Sequence, residues 1–338
     1  MDRLFGWCGL NGKSFVPLLS SYACAIPGIL AARQLERGWA RTVTLCMAPF
    51  MSCSARLPVY VLLIGAFVAP VYGPVAAGWV LFGMHFVGLG VAVLLAWIAS
   101  RIRGHRHSEP FVIEMPPYRV PVPRDLALQV WENGREFVVR AGTVILAFSV
   151  VIWALLSFPH AGDLPAEDRT ALEERADALP VGERAAFLEH RTRALFLEDS
   201  FLGRAGKALQ PVFAPAGWDW KLTVVVLASF PARELVVSTL GILHEMGPEA
   251  GEESAGLREQ LRRDTRDRGS RGGQAVYTLP VVAGVMVFFA LCLQCGATVA
   301  LLGRTLGWPA AGGLFLGMTF LAWCGAVVGY RVGTWILA

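Results

Sequence analysis

Charge is scarce in this chain, and from long stretches of it charge is missing altogether. Only 17% of the 338 residues are charged against 55% hydrophobic, with a mean hydropathy of +0.51. No Asp, Glu, Lys or Arg occurs from Ser14 to Ala32, from Leu57 to Ser100, from Ala275 to Gly303 or from Thr305 to Tyr330. Soluble domains distribute charge around their cores, so these gaps exclude a pair of soluble domains. Each gap approaches or exceeds the roughly 20 residues a helix needs to cross a bilayer. A strong excess of one sign is also absent: the net charge of +4 does not point to nucleic acid.

Other absences narrow the reading further. The seven cysteines, at 8, 24, 46, 53, 292, 295 and 324, avoid the long polar loops, which excludes a secreted disulfide scaffold as the default. Met1 to Ser14 has no basic region followed by an apolar core and a small-residue cleavage site, so no cleavable signal is visible. Gly9 to Ser14, GLNGKS, ends like a phosphate-binding loop but lacks its first glycine: counting back from Gly12 lands on Trp7. Without that turn, and without a preceding strand, successive N–H groups are not aimed at a phosphate. GLNGKS reads instead as a polar turn leading into an apolar segment.

What is present reads as an all-α integral membrane protein, a polytopic helical bundle with about seven membrane segments: 14–32, 42–69, 75–99, 138–158, 221–243, 276–302 and 309–335. Polar stretches divide these into a first region with a membrane hairpin (1–100), a loop (101–137), a membrane helix (138–158), a helical segment (159–220), a second region (221–243), a mobile loop (244–274) and C-terminal membrane helices (275–338). Arg101 to Phe137 holds six arginines and Arg33 to Arg41 three against one glutamate, which places both on the cytoplasmic side. Pro159 to Trp220 carries eleven acidic and seven basic residues and is expected outside. By parity, His244 to Gln274 returns to the cytoplasm, and Met1 lies outside unless the first segment is re-entrant.

Two arginines fall inside apolar segments, where charge is expensive and lines a bundle interior or a water-filled cavity. Arg56 stands in MSCSARLPVYVLL, and Arg233 with Glu234 in FPARELVVSTL. A shift of 177 residues superposes the two stretches and matches Leu45, Ser52, Ala55, Arg56, Val59 and Leu63 with Leu222, Ser229, Ala232, Arg233, Val236 and Leu240. Paired, interrupted apolar segments in two halves are the sequence pointer to a transporter site at mid-membrane. Arg56 with Glu234 is one candidate pair across the repeat. Cys24 precedes Pro27-Gly28, a pair expected to break a helix; Cys53 lies three residues before Arg56, with Met51 nearby; Cys295 is central in its segment. Thiolate and thioether ligands suit soft and borderline transition metals, whereas a lone buried cysteine is usually inert packing.

The run GLNGKSFVPLLSSYACAIPGILAARQLERGWARTVTLCMAPFMSCSARLPVYVLLIGAF resembles the first gate region of the ferrous iron transport protein B (FeoB) family, in its G-x-S-F-x-P-L-L, C-x-(I/V)-P and C-S-A-R-L-P-V-Y series. WDWKLTVVVLASFPARELVVSTLGIL resembles the second gate region, and the Cys295 segment the C-terminal part. Two departures stand out. The family carries a GTP-binding domain ahead of this region, so the chain is expected to be a C-terminal portion. Gln294 stands where the family commonly has proline before the helix cysteine.

The resemblance implies a multi-pass permease of the bacterial inner (cytoplasmic) membrane, not an enzyme. It implies two gate-type repeats with broken helices and Fe2+ as the transported substrate, with no nucleotide bound by this chain. Cys24, Cys53, Cys295 and Met51 are the expected metal-path residues, and Pro27, Arg56, Arg233 and Glu234 the gate and charge residues. A GTP-binding domain on a separate chain, a small cytosolic FeoA-type protein, membrane lipids and a homo-oligomer are the implied partners. Two other readings stay open: a gate-family permease for an organic solute such as a nucleoside, held by the arginines, and a non-transporting membrane scaffold.

Overall fold

The computed structural model describes residues 10–103, 122–159, 181–231, 235–244, 251–265, 275–293 and 295–337, with isolated positions between them. In chain order the helices are α1 (Phe15–Ser21), α2 (Ala25–Ala32), α3 (Trp39–Met47), α4 (Leu57–Leu63), α5 (Ala69–Arg103), α6 (Pro123–Ser157), α7 (Val181–Asp199), α8 (Phe201–Phe213), α9 (Trp220–Ala228), α10 (Leu235–Leu243), α11 (Ala255–Arg263), α12 (Leu279–Leu291), α13 (Gly296–Leu306) and α14 (Trp308–Leu337). Among the described residues there is no strand, only one isolated bridge between Thr265 and Ala275. Two compact units emerge: Met1–Ser54, His85–Ala147 and Leu291–Thr319 form the first, and Ala55–Met84, Phe148–Ala290 and Phe320–Ala338 the second.

Four apolar segments are broken into short half-helices, and local sequence explains where. Pro49 ends α3 through a 3₁₀ turn, Met51 turns extended (ψ 137°), and Pro58 sits in the first turn of α4, where its missing N–H costs nothing. Cys24 is extended (φ −156°, ψ 137°) and starts α2. The break therefore precedes Pro27, which lies in the first turn of α2; the expectation that Pro27-Gly28 itself breaks the helix is corrected on the same ground. Cys295 (φ −116°, ψ 106°) likewise starts α13. A fourth break separates α9 from α10 around Arg233.

In the first unit, α1 and α2 form a hairpin that folds back on itself. Lys13 Nζ meets Glu36 Oε1 at 2.8 Å across it, whereas a straight helix over the same segment would hold its ends about 27 Å apart. Gly28 makes the turn-back close: an added Cβ would strike Ser21 Oγ and come within 2.7 Å of Pro17 O. Ser21 Oγ donates to Pro17 O at 2.8 Å, so the buried hydroxyl is satisfied without water. The segment read as 14–32 therefore re-enters and does not cross.

The second unit repeats the device. Lys221, in the first turn of α9, and His244, just beyond α10, both reach Asp264, at 3.0 Å and 3.8 Å. A straight helix of that length would separate them by about 35 Å, so the segment 221–243 also re-enters. Hydropathy counts apolar length and is blind to a reversal, which is why both hairpins read as spans. It follows that Trp220 and His244 share a side, so placing 159–220 outside and 244–274 inside cannot both hold. The same reasoning places residues 10–14 with the Arg33–Arg41 link, the outcome expected if the first segment is re-entrant.

The repeat also differs from the one found by shifting the sequence. Each copy is a hairpin, a broken helix and a long helix: α1–α2, α3–α4 and α5, which is interrupted at Gly73 (φ 83°, ψ 168°) between the expected segments 42–69 and 75–99, then α9–α10, α12–α13 and α14. The first copy runs from the first unit to the second and back, and the second copy runs in the opposite order. The shift of 177 instead laid a broken helix on a hairpin, because both carry a lone Ala-Arg beside a break.

The polar stretch expected to be a mobile loop holds α11, whose Leu257 and Leu261 are fully buried; residues 266–274 lie outside the described residues. This helix packs on a π-helical turn, Ile64–Val68, where Arg262 Nε donates to Ala66 O at 2.6 Å and the Arg258 guanidinium lies against Gly65. Elsewhere in this unit, Gly284 and Gly329 let α12 and α14 meet backbone to backbone, as small residues do in membrane helix pairs.

Candidate functional site: cysteines at helix breaks

Residues 10–14 of the GLNGKS stretch form the foot of the first hairpin. Gly12–Ser14 make a 3₁₀ turn, Lys13 is spent on Glu36, and buried Ser14 donates to Asn11 Oδ1 at 3.2 Å with Thr44 Oγ1 2.8 Å away. The lysine holds the Glu36 carboxyl below its usual range by hydrogen bond and charge.

Above this foot, α2 and α13 lie side by side in parallel. Ile26 and Leu30 of α2 share a cleft with Ala297, Ala300 and Leu301 of α13, and Arg33 donates to Thr305 Oγ1 from Nε at 2.8 Å and from Nη2 at 2.6 Å. Matching positions along both helices put their N-termini at one level. Those N-termini are Cys24 and Cys295, both half-buried. The Cys24 sulfur accepts from the Ile26 amide, and a charge on Cys53 or Cys295 would be felt at Cys24. Cys53 lies in the extended stretch after Met51, beside Ser52, whose Oγ donates to His85 O at 3.0 Å. Three of the seven cysteines thus belong to one unit, and each stands at a helix break.

Among the described residues no three His, Cys, Asp or Glu side chains converge closely enough to cage a metal ion. The thiols form a loose set and not a closed four-ligand centre of the structural kind. Met51 is 2% exposed and packs into its unit. Arg56 is 1% exposed at the N-cap of α4. Arg233 is 5% exposed and donates from Nη1 to Phe289 O at 3.2 Å. Glu234 lies outside the described residues, and with it the suggested Arg56–Glu234 pair.

Sequence reasoning missed the group that ties the foot of the second hairpin. Lys221 and Asp264 are 14% and 13% exposed, and His244 Nε2 lies 3.1 Å from the Tyr277 hydroxyl. Burial, then the nearby Lys221 charge, push the His244 imidazole down to about 3, so it is neutral at physiological pH. The available signal was a lone His and a lone Lys bracketing an apolar run.

The sequence pattern of the family described as "Gate: Nucleoside recognition" matches residues 1–67 and 138–309, and that of "Ferrous iron transport protein B C terminus" matches residues 81–133. The chain is 37% identical over 345 residues to the Fe(2+) transport protein A/Fe(2+) transporter FeoB fusion protein of Porphyromonas gingivalis, covering 98% of this chain and 39% of that one. It is 37% identical over 328 residues to the Fe(2+) transporter FeoB of Leptospira biflexa (95% and 43%), and 32% over 316 residues to that of Helicobacter pylori (91% and 46%). The chain thus spans about two fifths of the length of the curated relatives it matches. No solved structure matches it.

Proposed function

The chain belongs to the ferrous iron transport protein B family, with the membrane part bearing the gate regions, and on that premise we propose that it moves Fe2+ across the bacterial inner membrane along a path that passes Cys24, Cys53 and Cys295. It is a multi-pass membrane protein of the bacterial inner membrane. The observation that carries the proposal is the grouping of those cysteines at helix breaks. A break leaves backbone carbonyls free beside a polarisable sulfur, where an intact helix would keep those carbonyls bonded to itself. Two or three such ligands strip part of an ion's hydration and still release it, which a closed site does not.

In this reading GTP is handled outside the residues described, since the lysine and serine of GLNGKS are engaged in the hairpin foot. A GTP-binding domain and a FeoA-type protein are the proposed partners; the latter is fused to the relative from P. gingivalis. The organic-solute reading needs arginines free to hold a ligand, and the observed Arg233 contact is with a helix carbonyl. The test is uptake of radioactive ferrous iron by cells carrying the full-length gene product as their sole importer. Cys24→Ser and Cys53→Ser each reduce uptake at least tenfold with unchanged membrane abundance. Wild-type uptake by the double variant refutes the thiol path.

A further inference from the structure

Arg233 makes a contact that iron chemistry does not by itself call for. Helix α12 ends at Leu291, so the carbonyls of its last turn, Phe288 to Leu291, have no partner further along the helix. These residues are 0–5% exposed, which keeps water from serving them. Arg233, at the tip of the second hairpin and 5% exposed, donates to one of these carbonyls, Phe289 O, at 3.2 Å. The guanidinium also places positive charge at the negative end of the α12 dipole. Six residues beyond Phe289 the chain reaches Cys295, and Cys292 and Leu293 between them are 0% and 1% exposed.

We propose that Arg233 is a positioning residue for the Cys295 break: it caps α12 in place of a cation and keeps the helix end closed, so that cargo meets the thiol and not the carbonyl terminus. The claim about cargo rests on the iron-path reading; the capping claim does not. An exposed carbonyl terminus of a half-helix is itself a cation ligand. With the arginine in place that position is filled permanently and cannot compete with the path. Without it, the freed carbonyl draws water into the break.

The test is the reaction rate of Cys295 with a small positively charged methanethiosulfonate. It is read in membranes from a chain in which Cys295 is the sole cysteine, with and without Arg233→Gln and Arg233→Lys. Arg233→Gln raises the rate at least tenfold. Arg233→Lys, which keeps the charge but not the planar fork of donors, raises it two- to fivefold. A Gln rate within twofold of the unsubstituted chain overturns the proposal. If the Gln chain fails to insert, the Lys chain decides: a twofold or larger rise upholds the cap, and an unchanged rate overturns it. Ferrous uptake by the full cysteine complement is measured in parallel. No uptake by the unsubstituted protein would overturn the iron reading and the claim about cargo while leaving the capping claim to the labelling rates alone.

Discussion

Replacing Asp264 by asparagine tests the tie at the foot of the second hairpin. The carboxylate is 13% exposed and bonds the Lys221 ammonium, itself 14% exposed, at 3.0 and 3.1 Å, with His244 Nδ1 at 3.8 Å. Removing one member of a buried pair leaves the other uncompensated, a cost of 3–5 kcal/mol when burial is complete. The residual exposure argues for the lower end, about 3 kcal/mol. That amounts to roughly a hundredfold in an opening equilibrium. Amide hydrogen exchange in α9 and α10, followed in detergent, reads that opening directly. Asp264→Asn is expected to accelerate exchange in both helices about a hundredfold and leave α1 and α2 unchanged. Lys221→Met on top of it recovers most of the protection, because the orphaned ammonium is then gone. Strict additivity of the two substitutions, or acceleration under threefold, would refute the argument. The matching pair on the first hairpin gives the control. Glu36 is 82% exposed, so Lys13→Met should change exchange in α1 and α2 by less than threefold.

His244 has a folded pKa of about 3 against an ordinary 6.5, so the unfolded chain binds the extra proton; stability is complete above pH 6.5 and falls as pH drops from 6.5 towards 3. Between pH 7.5 and 5 the loss is about 2 kcal/mol, and thermal unfolding at the two pH values should show that slope vanish in His244→Gln. Gly28→Val drives a side chain into Ser21 and Pro17 O and should destabilise the first hairpin by about 1–3 kcal/mol, seen as faster exchange confined to α1 and α2. Cysteines introduced singly at Lys207 and Glu253, on a background without native thiols, should be labelled from the same side of the membrane; opposite sides would refute the re-entrant reading of α9 and α10.

Where the helices break was only partly legible in the sequence. The break expected at Pro27-Gly28 falls three residues earlier, at Cys24, and the one between Pro49 and Pro58 lies inside a stretch that reads as a single apolar span, although its causes are local. Direction after a break was not legible. Whether α2 continues from α1 or turns back depends on Gly28 fitting against Pro17 and Ser21, a contact between residues eleven and seven apart whose pattern resembles ordinary apolar packing. The arginines were recognised as misplaced charges, yet the Arg233 acceptor is a backbone carbonyl 56 residues away, which no side-chain pattern announces. The helix α11 was hidden for the opposite reason: Leu257 and Leu261, one turn apart, were outvoted by the charges around them.

The π-helical turn at Ile64–Val68, on which Arg262 is docked, has a consequence for register. Such a turn holds one residue more than the α-helix around it requires. An α-helix turns about 100° and rises about 1.5 Å per residue. Deleting Gly65 alone would let the hydrogen-bond ladder close as ordinary α-helix, and would swing Arg56 and the rest of α4 through about that angle relative to everything beyond the turn. The carbonyl of Ala66 would turn with the backbone, and Arg262 Nε would lose it as an acceptor while Nη1 kept Glu259. Two chains with identical side chains along α4, differing by a single insertion at this point, would therefore present different faces to whatever passes them.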